Sequence, residues 1–157
     1  MELVVETKNA EETKKVAFIL AKEIIRGNLK LAKNTALVLA LQGELGAGKT
    51  IFTQAFALAF KIKEKILSPT FVIMKKIKIS PTASKSYSNL YHFDCYRIKK
   101  DKEISELGFE EIMGNKKNII LIEWAEKIKK LLPQNHLLIK FEHLGEDKRK
   151  IIISNVK

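Results

Sequence analysis

The feature that most constrains this chain is the eight-residue stretch GELGAGKT at residues 43–50. It matches the pattern G-x-x-x-x-G-K-[ST], in which a glycine-rich loop wraps its backbone N–H groups around phosphate groups. The apolar run ALVLAL at residues 36–41 precedes it and is typical of a buried parallel strand. The apolar, alanine-containing residues 51–60 follow, as expected of a helix. Strand, loop and helix in this order predict binding of a nucleoside triphosphate.

Two side chains at the end of this loop have separate expected roles. Lys49 is expected to reach the β- and γ-phosphates of the nucleotide, and the hydroxyl of Thr50 is expected to bind Mg²⁺. The predicted ligands are therefore a nucleoside triphosphate and its magnesium ion.

Two acidic residues are candidates for completing the magnesium site. Asp94 ends the apolar-rich stretch 90–94, and Glu123 follows the buried strand predicted for residues 118–122. Because the carboxyl ends of the strands converge on the ligand in this kind of fold, either acid would face the metal. Each is equally compatible with a solvent-facing acid at the end of a strand.

The segment Ser68-Pro69-Thr70-Phe71 lies between the predicted loop helix and the next strand, where a nucleotide-sensing switch is found in such folds. The hydroxyls of Ser68 and Thr70 would meet the γ-phosphate or its metal. A plain turn before a strand explains the same residues, and spacing alone slightly favours the turn.

The chain is of single-domain size, and we expect one domain over residues 1–157. No apolar run approaches the ~18 residues of a membrane-spanning helix. Residues 1–6, MELVVE, are not typical of a signal peptide. The single cysteine, Cys95, has no partner for an internal disulfide, and one thiol is too few for a structural zinc site. A soluble, cytoplasmic protein is expected.

Hydrophobic patterns along the chain predict an α/β sheet with helices on its faces and antiparallel additions. The predicted elements are a strand at 2–6, a helix from Asn9 to about Arg26, the loop unit at 36–60, an extended arm at 71–79 that returns at 87–95, short helices at 101–107 and 109–113, a strand at 118–122, a helix at 125–131 and a hairpin of 136–141 with 150–153.

The net charge of +11 suggests a polyanionic partner such as RNA. Only three of the 29 basic residues are arginine, however, and the lysines are spread along the whole chain. Phosphate-binding surfaces favour arginine for its bidentate geometry, so dispersed lysine favours a solvated surface instead.

Taken together, these motifs resemble the bacterial TsaE (YjeE) family, the ATPase component of tRNA threonylcarbamoyladenosine biosynthesis. The resemblance runs from residue 12 to the final hairpin. The motifs that carry it, in the order and spacing of that family, are GELGAGKT at 43–50, SPTF at 68–71, HFDCYR at 92–97, LG at 107–108 and IEW at 122–124. Two residues depart from the family: Cys95 stands where leucine is usual, and Ala125 where proline is common.

The resemblance implies a P-loop NTPase fold of three layers, with a mixed β-sheet flanked by helices and a C-terminal β-hairpin. It implies ATP hydrolysis that is weak in the isolated chain and stimulated by partners. Those partners are the TsaD and TsaB proteins, which place a threonylcarbamoyl group on N6 of adenosine 37 in tRNA. The tRNA would be engaged indirectly, through the complex.

The resemblance also assigns roles residue by residue, with Lys49, Asp94 and Glu123 as the catalytic set. Thr50 and Glu123 would bind Mg²⁺, and Asp94 would lie at the same γ-phosphate and metal centre. By position alone, the adenine pocket would fall at Ala10 and Lys148, and Trp124 would lie beside the metal centre, near the partner surface. The residues that would hold the triphosphate are Leu45, Gly46, Ala47, Gly48, Lys49 and Thr50.

Other classes of nucleotide-binding protein fit the sequence less well. A guanine-specific GTPase uses Asn-Lys-x-Asp, but residues 115–118 are NKKN and precede a predicted strand. A small-molecule kinase usually gathers several arginines, and this chain has three. A nucleotide-regulated RNA-binding protein would use the charge without needing Lys49, Thr50 and two strand-end acids. The kinase and the RNA-binding protein stay as alternatives to the ATPase.

Overall fold

A computed structural model describes residues 2–29, 31, 33–67 and 72–157. The segment 68–71, for which a switch role was considered, lies outside the described residues. The elements are β1 Glu2–Thr7, α1 Ala10–Ile25, β2 Leu37–Gln42, α2 Lys49–Ala59, β3 Met74–Lys78, β4 Asn89–Asp94, α3 Asp101–Ser105, α4 Phe109–Met113, β5 Asn118–Glu123, a 3₁₀ helix Ala125–Leu131, β6 His136–His143 and β7 Arg149–Val156.

The strands of the described part of the chain form one mixed sheet of seven, in the order β1-β7-β6-β2-β5-β4-β3. At its centre β2 is parallel to both β5 and β6, and β5 is parallel to β4. The additions at the two sides are antiparallel: β6 with β7, β7 with β1, and β4 with β3. The predicted α/β class and the C-terminal hairpin are confirmed.

Helices cover both faces of the sheet, which gives three layers. The helices α1 and α2 pack against residues such as Leu39 and Leu121 on one face. The short helices α3 and α4 and the 3₁₀ helix pack against residues such as Val38 and Ile122 on the other. Successive residues of a strand point to opposite faces, so each central strand contributes apolar side chains to both cores.

Most predicted elements lie where the patterns placed them, with differences in extent and form. The arm predicted from residue 71 becomes a strand only at Met74, and β6 and β7 run beyond the predicted 136–141 and 150–153. The helix predicted for residues 125–131 is a 3₁₀ helix, interrupted at Ile128, whose φ of −125° and ψ of 30° are not helical. The loop helix begins at Lys49 and not at residue 51. Among the helices of the described residues, none has the length and apolar character needed to cross a bilayer.

The first helix begins as its sequence indicates. The side chain of Asn9 accepts a hydrogen bond from the backbone N–H of Glu12 at 3.0 Å. The carboxylate of Glu12 reaches back to the N–H of Lys8 at 2.7 Å, one residue before the cap. The capping box is therefore imperfect, because Glu12 accepts from Lys8 and not from Asn9, although both donors find an acceptor.

Cys95 is packed in the core beneath α3 and α4, where it is fully buried. Burial raises the pKa of its thiol to about 12, so the side chain is an uncharged apolar group at neutral pH. A cysteine therefore fills this position without introducing a reactive thiolate.

Candidate functional site

The glycine-rich loop leaves β2 and turns back over the sheet before α2 begins. A Cβ atom at Gly43 would lie 2.8 Å from the carbonyl oxygen of Phe141, which is too close for any other residue. Gly48 precedes α2 with a φ of 104°, in the left-handed region where side chains are strained. These two glycines let the loop curl so that the first N–H groups of α2, which have no partner inside the helix, face the loop.

Lys49, the first residue of α2, lies folded against this loop and is 5% exposed. Its Nζ atom donates hydrogen bonds to the carbonyl oxygens of Gly43 at 2.5 Å and Glu44 at 2.8 Å. The same atom lies 3.9 Å from the centre of the Trp124 ring, a cation–π contact. The structure thus holds the ammonium group at the loop, where phosphate oxygens would replace the two carbonyls.

Burial lowers the pKa of Lys49, because the charged ammonium group loses water. Three acids oppose that effect and favour the charged form, in the order Glu123, Glu126 and Asp94. The acids around the loop therefore help to keep a buried lysine positively charged.

Thr50 and Glu123 meet directly, although they are distant in sequence. The Thr50 hydroxyl donates to Oε2 of Glu123 at 2.9 Å, and Oε1 of the same carboxylate lies 3.0 Å from Nε2 of His92. Both His92 and Glu123 are almost completely buried. The carboxylate is thereby held between α2 and β4.

Asp94 lies on the strand next to Glu123 and is opposite it in the β4–β5 register. Because these strands are parallel, both acids end at the same edge of the sheet, as the sequence predicted. Oδ1 of Asp94 accepts a hydrogen bond from the backbone N–H of Tyr96 at 3.0 Å, and the side chain is 7% exposed. Both Asp94 and Glu123 are buried, so neither is a solvent-facing acid at the end of a strand.

Lys49, Thr50 and Glu123 line a pocket of about 170 Å³ at the start of α2, and Asp94 and His92 lie outside its lining. The pocket lies between the loop and the end of β5. The two predicted metal ligands, Thr50 and Glu123, therefore line the same pocket as Lys49. The residues that line it are Leu45, Gly46, Ala47, Gly48, Lys49, Thr50, Ile51, Glu123 and Trp124.

A smaller pocket of about 100 Å³ adjoins the other side of the loop and shares Gly46, Gly48 and Ile51 with the first. Ala10, a predicted adenine contact, lines it. The final hairpin contributes Asp147 and Arg149, while the other predicted contact, Lys148, is an exposed residue between them. The role of Ala10 and Lys148 in nucleotide binding stays a prediction.

Trp124 reaches the first pocket because of an uncommon backbone conformation. Its φ of 59° and ψ of 41° are left-handed, which is unusual for a residue with a large side chain. The turn brings its ring over Lys49 and within 5.0 Å of the Tyr96 ring, which is 47% exposed. An aromatic surface thus borders the pocket at its open side.

The oxygen atoms of this pocket suit magnesium. Thr50 Oγ1 and Glu123 Oε2 lie 2.9 Å apart, and adjacent ligands of an octahedral Mg²⁺ are separated by about 2.9 Å. Within the described residues, no three His, Cys, Asp or Glu side chains group to chelate a metal. The pair therefore fits an ion that also takes ligands from a nucleotide, as Mg²⁺ commonly does.

Sequence reasoning missed two residues at this site. His92 was noted only as part of the HFDCYR motif, but the alternation of β4 places it on the same face as Asp94, which could have revealed it. Arg149 donates to the carbonyl oxygen of Gly46 at 3.1 Å, across 103 residues of chain. No local pattern indicates that contact, since it depends on how the hairpin packs against the loop.

The strand–loop–helix unit, set in the parallel centre of a mixed sheet between two helical layers, places this protein among the P-loop α/β proteins. Comparison with known proteins narrows that class to one family. The family model described as threonylcarbamoyl adenosine biosynthesis protein TsaE matches residues 7–151, and the chain belongs to the TsaE family.

Individual relatives agree with this assignment, and each is a protein that this chain is similar to. A tRNA threonylcarbamoyladenosine biosynthesis protein TsaE of Rickettsia felis is 42% identical over 142 residues, which cover 90% of this chain and 73% of the relative. The protein of that name from Bacillus subtilis is 37% identical over 150 residues, which cover 96% of this chain and 84% of the relative. The crystal structure of Bacillus subtilis YdiB superposes with a TM-score of 0.74 at 32% identity, covering 100% of this chain and 87% of that one.

Proposed function

We propose that this protein is the ATP-binding and ATP-hydrolysing component of the machinery that makes N6-threonylcarbamoyladenosine at position 37 of tRNA. It would act in the cytoplasm with the TsaD and TsaB proteins, and would meet tRNA through that complex. The observation that carries the proposal is the meeting of Lys49, Thr50 and Glu123 in one pocket at the glycine-rich loop. The names of the relatives support the pathway.

Binding would use the loop and the start of α2. Backbone N–H groups of residues 45–50 would donate to the phosphate oxygens, and the helix N-terminus would add its partial positive charge. Lys49 would exchange its hydrogen bonds to Gly43 and Glu44 for bonds to the β- and γ-phosphates. Arg149, bonded to Gly46, would hold the loop from the side of the hairpin.

Thr50 and Glu123 would hold Mg²⁺, which when bound neutralises charge on the β- and γ-phosphates. Glu123 is suited to this because its buried carboxylate already contacts the Thr50 hydroxyl. Asp94, at the end of the adjacent strand, would add a second negative charge at the same centre. Burial of these acids keeps water from screening them, so their electrostatic effect on the site is strong.

The isolated chain would hydrolyse ATP slowly. Among the described residues that line the pocket around Lys49, none is an arginine, so no guanidinium in that pocket stabilises the transition state. Where arginine fingers occur they raise rates by about 10³–10⁵, and a partner can supply one in trans. Half-buried Trp124, which lines the pocket, and exposed Tyr96, which packs against it, would be where the partner approaches.

The decisive experiment measures ATP hydrolysis by the chain alone and after addition of the TsaD–TsaB pair. We expect slow hydrolysis alone and a rise with the partners. Trp124→Ala should lose the stimulation and keep most of its nucleotide affinity, while Lys49→Ala should lose nucleotide binding itself. Fast turnover by the isolated chain that the partners do not change would contradict the proposal.

A further inference from the structure

His92 is a buried histidine with no role of its own in the proposed reaction. It is 1% exposed and lies on β4, two residues before Asp94. Its Nε2 atom is 3.0 Å from Oε1 of Glu123, which is 2% exposed. As a ligand of Mg²⁺ in the proposed function, the Glu123 carboxylate accepts hydrogen bonds, and in that role Nε2–H of His92 is the donor.

The two oxygens of Glu123 are held from different parts of the fold. Oε1 lies 3.0 Å from Nε2 of His92 on β4, and Oε2 accepts from Thr50 on α2 at 2.9 Å. The terminal torsion of a glutamate side chain has only a broad preference, so the side chain alone does not determine where its oxygens point. A second contact, to His92, restricts the rotation of the carboxylate plane and so the direction from which an oxygen faces Thr50.

We propose that His92 is a positioning residue of the magnesium–nucleotide site, which fixes the plane of the Glu123 carboxylate so that one oxygen points at Thr50. This inference rests on the function proposed above. Carboxylate ligands of metals are themselves held by hydrogen bonds, and loss of such an outer partner typically lowers metal affinity about 10–100-fold. A histidine kept only to fill space would have no such effect.

The first experiment needs no ligand and measures the free energy of unfolding of four proteins: native, Thr50→Val, His92→Leu and the double variant. Thr50→Val removes the hydroxyl and keeps the branched shape. If His92 orients Glu123, the loss of stability caused by Thr50→Val falls by at least half when His92 is already leucine. Equal losses in the two backgrounds would overturn the proposal, because Glu123 would then keep its bond to Thr50 without His92.

Two further substitutions make the comparison specific. His92→Gln keeps an N–H donor close to the Nε2 position and should restore the coupling with Thr50. His92→Met has no donor and an adaptable apolar shape, so it provides a second donor-free protein if His92→Leu does not fold. If the energetic coupling with Thr50 is lost in His92→Gln as fully as in His92→Leu, the hydrogen bond from His92 has no positioning role.

The second experiment follows Mn²⁺, as a stand-in for Mg²⁺, by electron paramagnetic resonance in protein saturated with a non-hydrolysable ATP analogue. We expect Mn²⁺ affinity at least about tenfold lower in His92→Leu, native-like in His92→Gln, and little changed by His92→Leu in a Glu123→Gln background. In EDTA, the native protein, His92→Leu and His92→Gln should have the same nucleotide affinity. A Mn²⁺ affinity in His92→Leu equal to that of the native protein would reject the positioning role. So would an equally large loss of Mn²⁺ affinity when His92→Leu is introduced into the Glu123→Gln protein.

The two experiments separate this inference from the proposed function. A native protein that binds no ATP in the presence of Mg²⁺ would defeat the proposed function. The coupling between His92 and Thr50, measured without ligand, would still decide whether His92 orients Glu123.

Discussion

The two faces of β4 and β5 differ in chemistry, although the same pair of strands supplies both. Toward α1 and α2, the strands end in three buried polar residues: His92, Asp94 and Glu123. Toward α3 and α4, the alternate positions are apolar, as at Phe93 and Ile122. Phe93 packs edge-on against Phe109 with ring centroids 5.3 Å apart.

This difference separates the contributions to stability from those to function. Apolar side chains on the second face stabilise the fold by leaving water and filling space. Buried polar groups on the first face cost free energy unless hydrogen bonds compensate for lost water. Glu123 receives that compensation from Thr50 and His92. Substitutions of the polar groups at the site and of the apolar residues on the second face should therefore give opposite patterns of stability and ligand binding.

The largest expected effect is that of Phe93→Ala on stability. Removing a fully buried phenylalanine should lower the free energy of unfolding by about 3–5 kcal/mol, because the site cannot fully collapse. Chemical denaturation measures this loss. The nucleotide affinity of the folded protein should stay close to native, and Phe93→Leu should cost less. Weakened nucleotide binding with native stability would break the division between the two faces.

Lys49→Ala should show the reverse pattern. Loss of the ammonium group removes charge-assisted contacts to phosphate worth ~1.5–3 kcal/mol, which is at least about tenfold in nucleotide affinity. Calorimetric titration measures the affinity, and the free energy of unfolding should change little by comparison. Lys78→Ala, which removes the same charge from an exposed position on β3, is the control. Unchanged affinity in folded Lys49→Ala would remove the basis for assigning this face to phosphate binding.

Amide substitutions at the two acids test the polar face without removing volume. Asp94→Asn and Glu123→Gln should fold normally and bind nucleotide, and should hydrolyse ATP at least about tenfold more slowly, equivalent to ~1.4 kcal/mol. Steady-state hydrolysis with the partner proteins present, together with melting temperatures, distinguishes the outcomes. A large fall in melting temperature at native specific activity would make that acid a structural residue.

The smallest effect concerns the hairpin. Arg149→Gln removes the hydrogen bond to Gly46 and should weaken nucleotide binding by ~0.5–1.5 kcal/mol, about two- to tenfold. Arg26→Gln, at the exposed end of α1, is the matched control and should have no effect on affinity. Native affinity in Arg149→Gln would confine the site to the central strands.

Much of this fold was predictable because its signals are local. The apolar run of β2, the glycine pattern of residues 43–48 and the alternation in the final hairpin each depend on neighbouring residues. The 3₁₀ form of Ala125–Leu131 was not predictable, since the left-handed turn at Trp124 and the interruption at Ile128 follow from packing on the sheet. Asp94 and Glu123 were predictable as neighbours because parallel strands end at the same edge of a sheet. In the structure β4 and β5 are parallel, and the two acids are opposite each other in their register.

The sequence by itself determined the class of protein, because a loop of that composition between a buried strand and a helix has few physical uses. Only the tertiary structure decided how the site is assembled. The bonds that hold Glu123 span 73 residues to Thr50 and 31 to His92, and the bond from Arg149 to Gly46 spans 103. Contacts at such separations depend on strand order and helix packing, which are collective properties of the folded chain and leave no periodicity in any one segment.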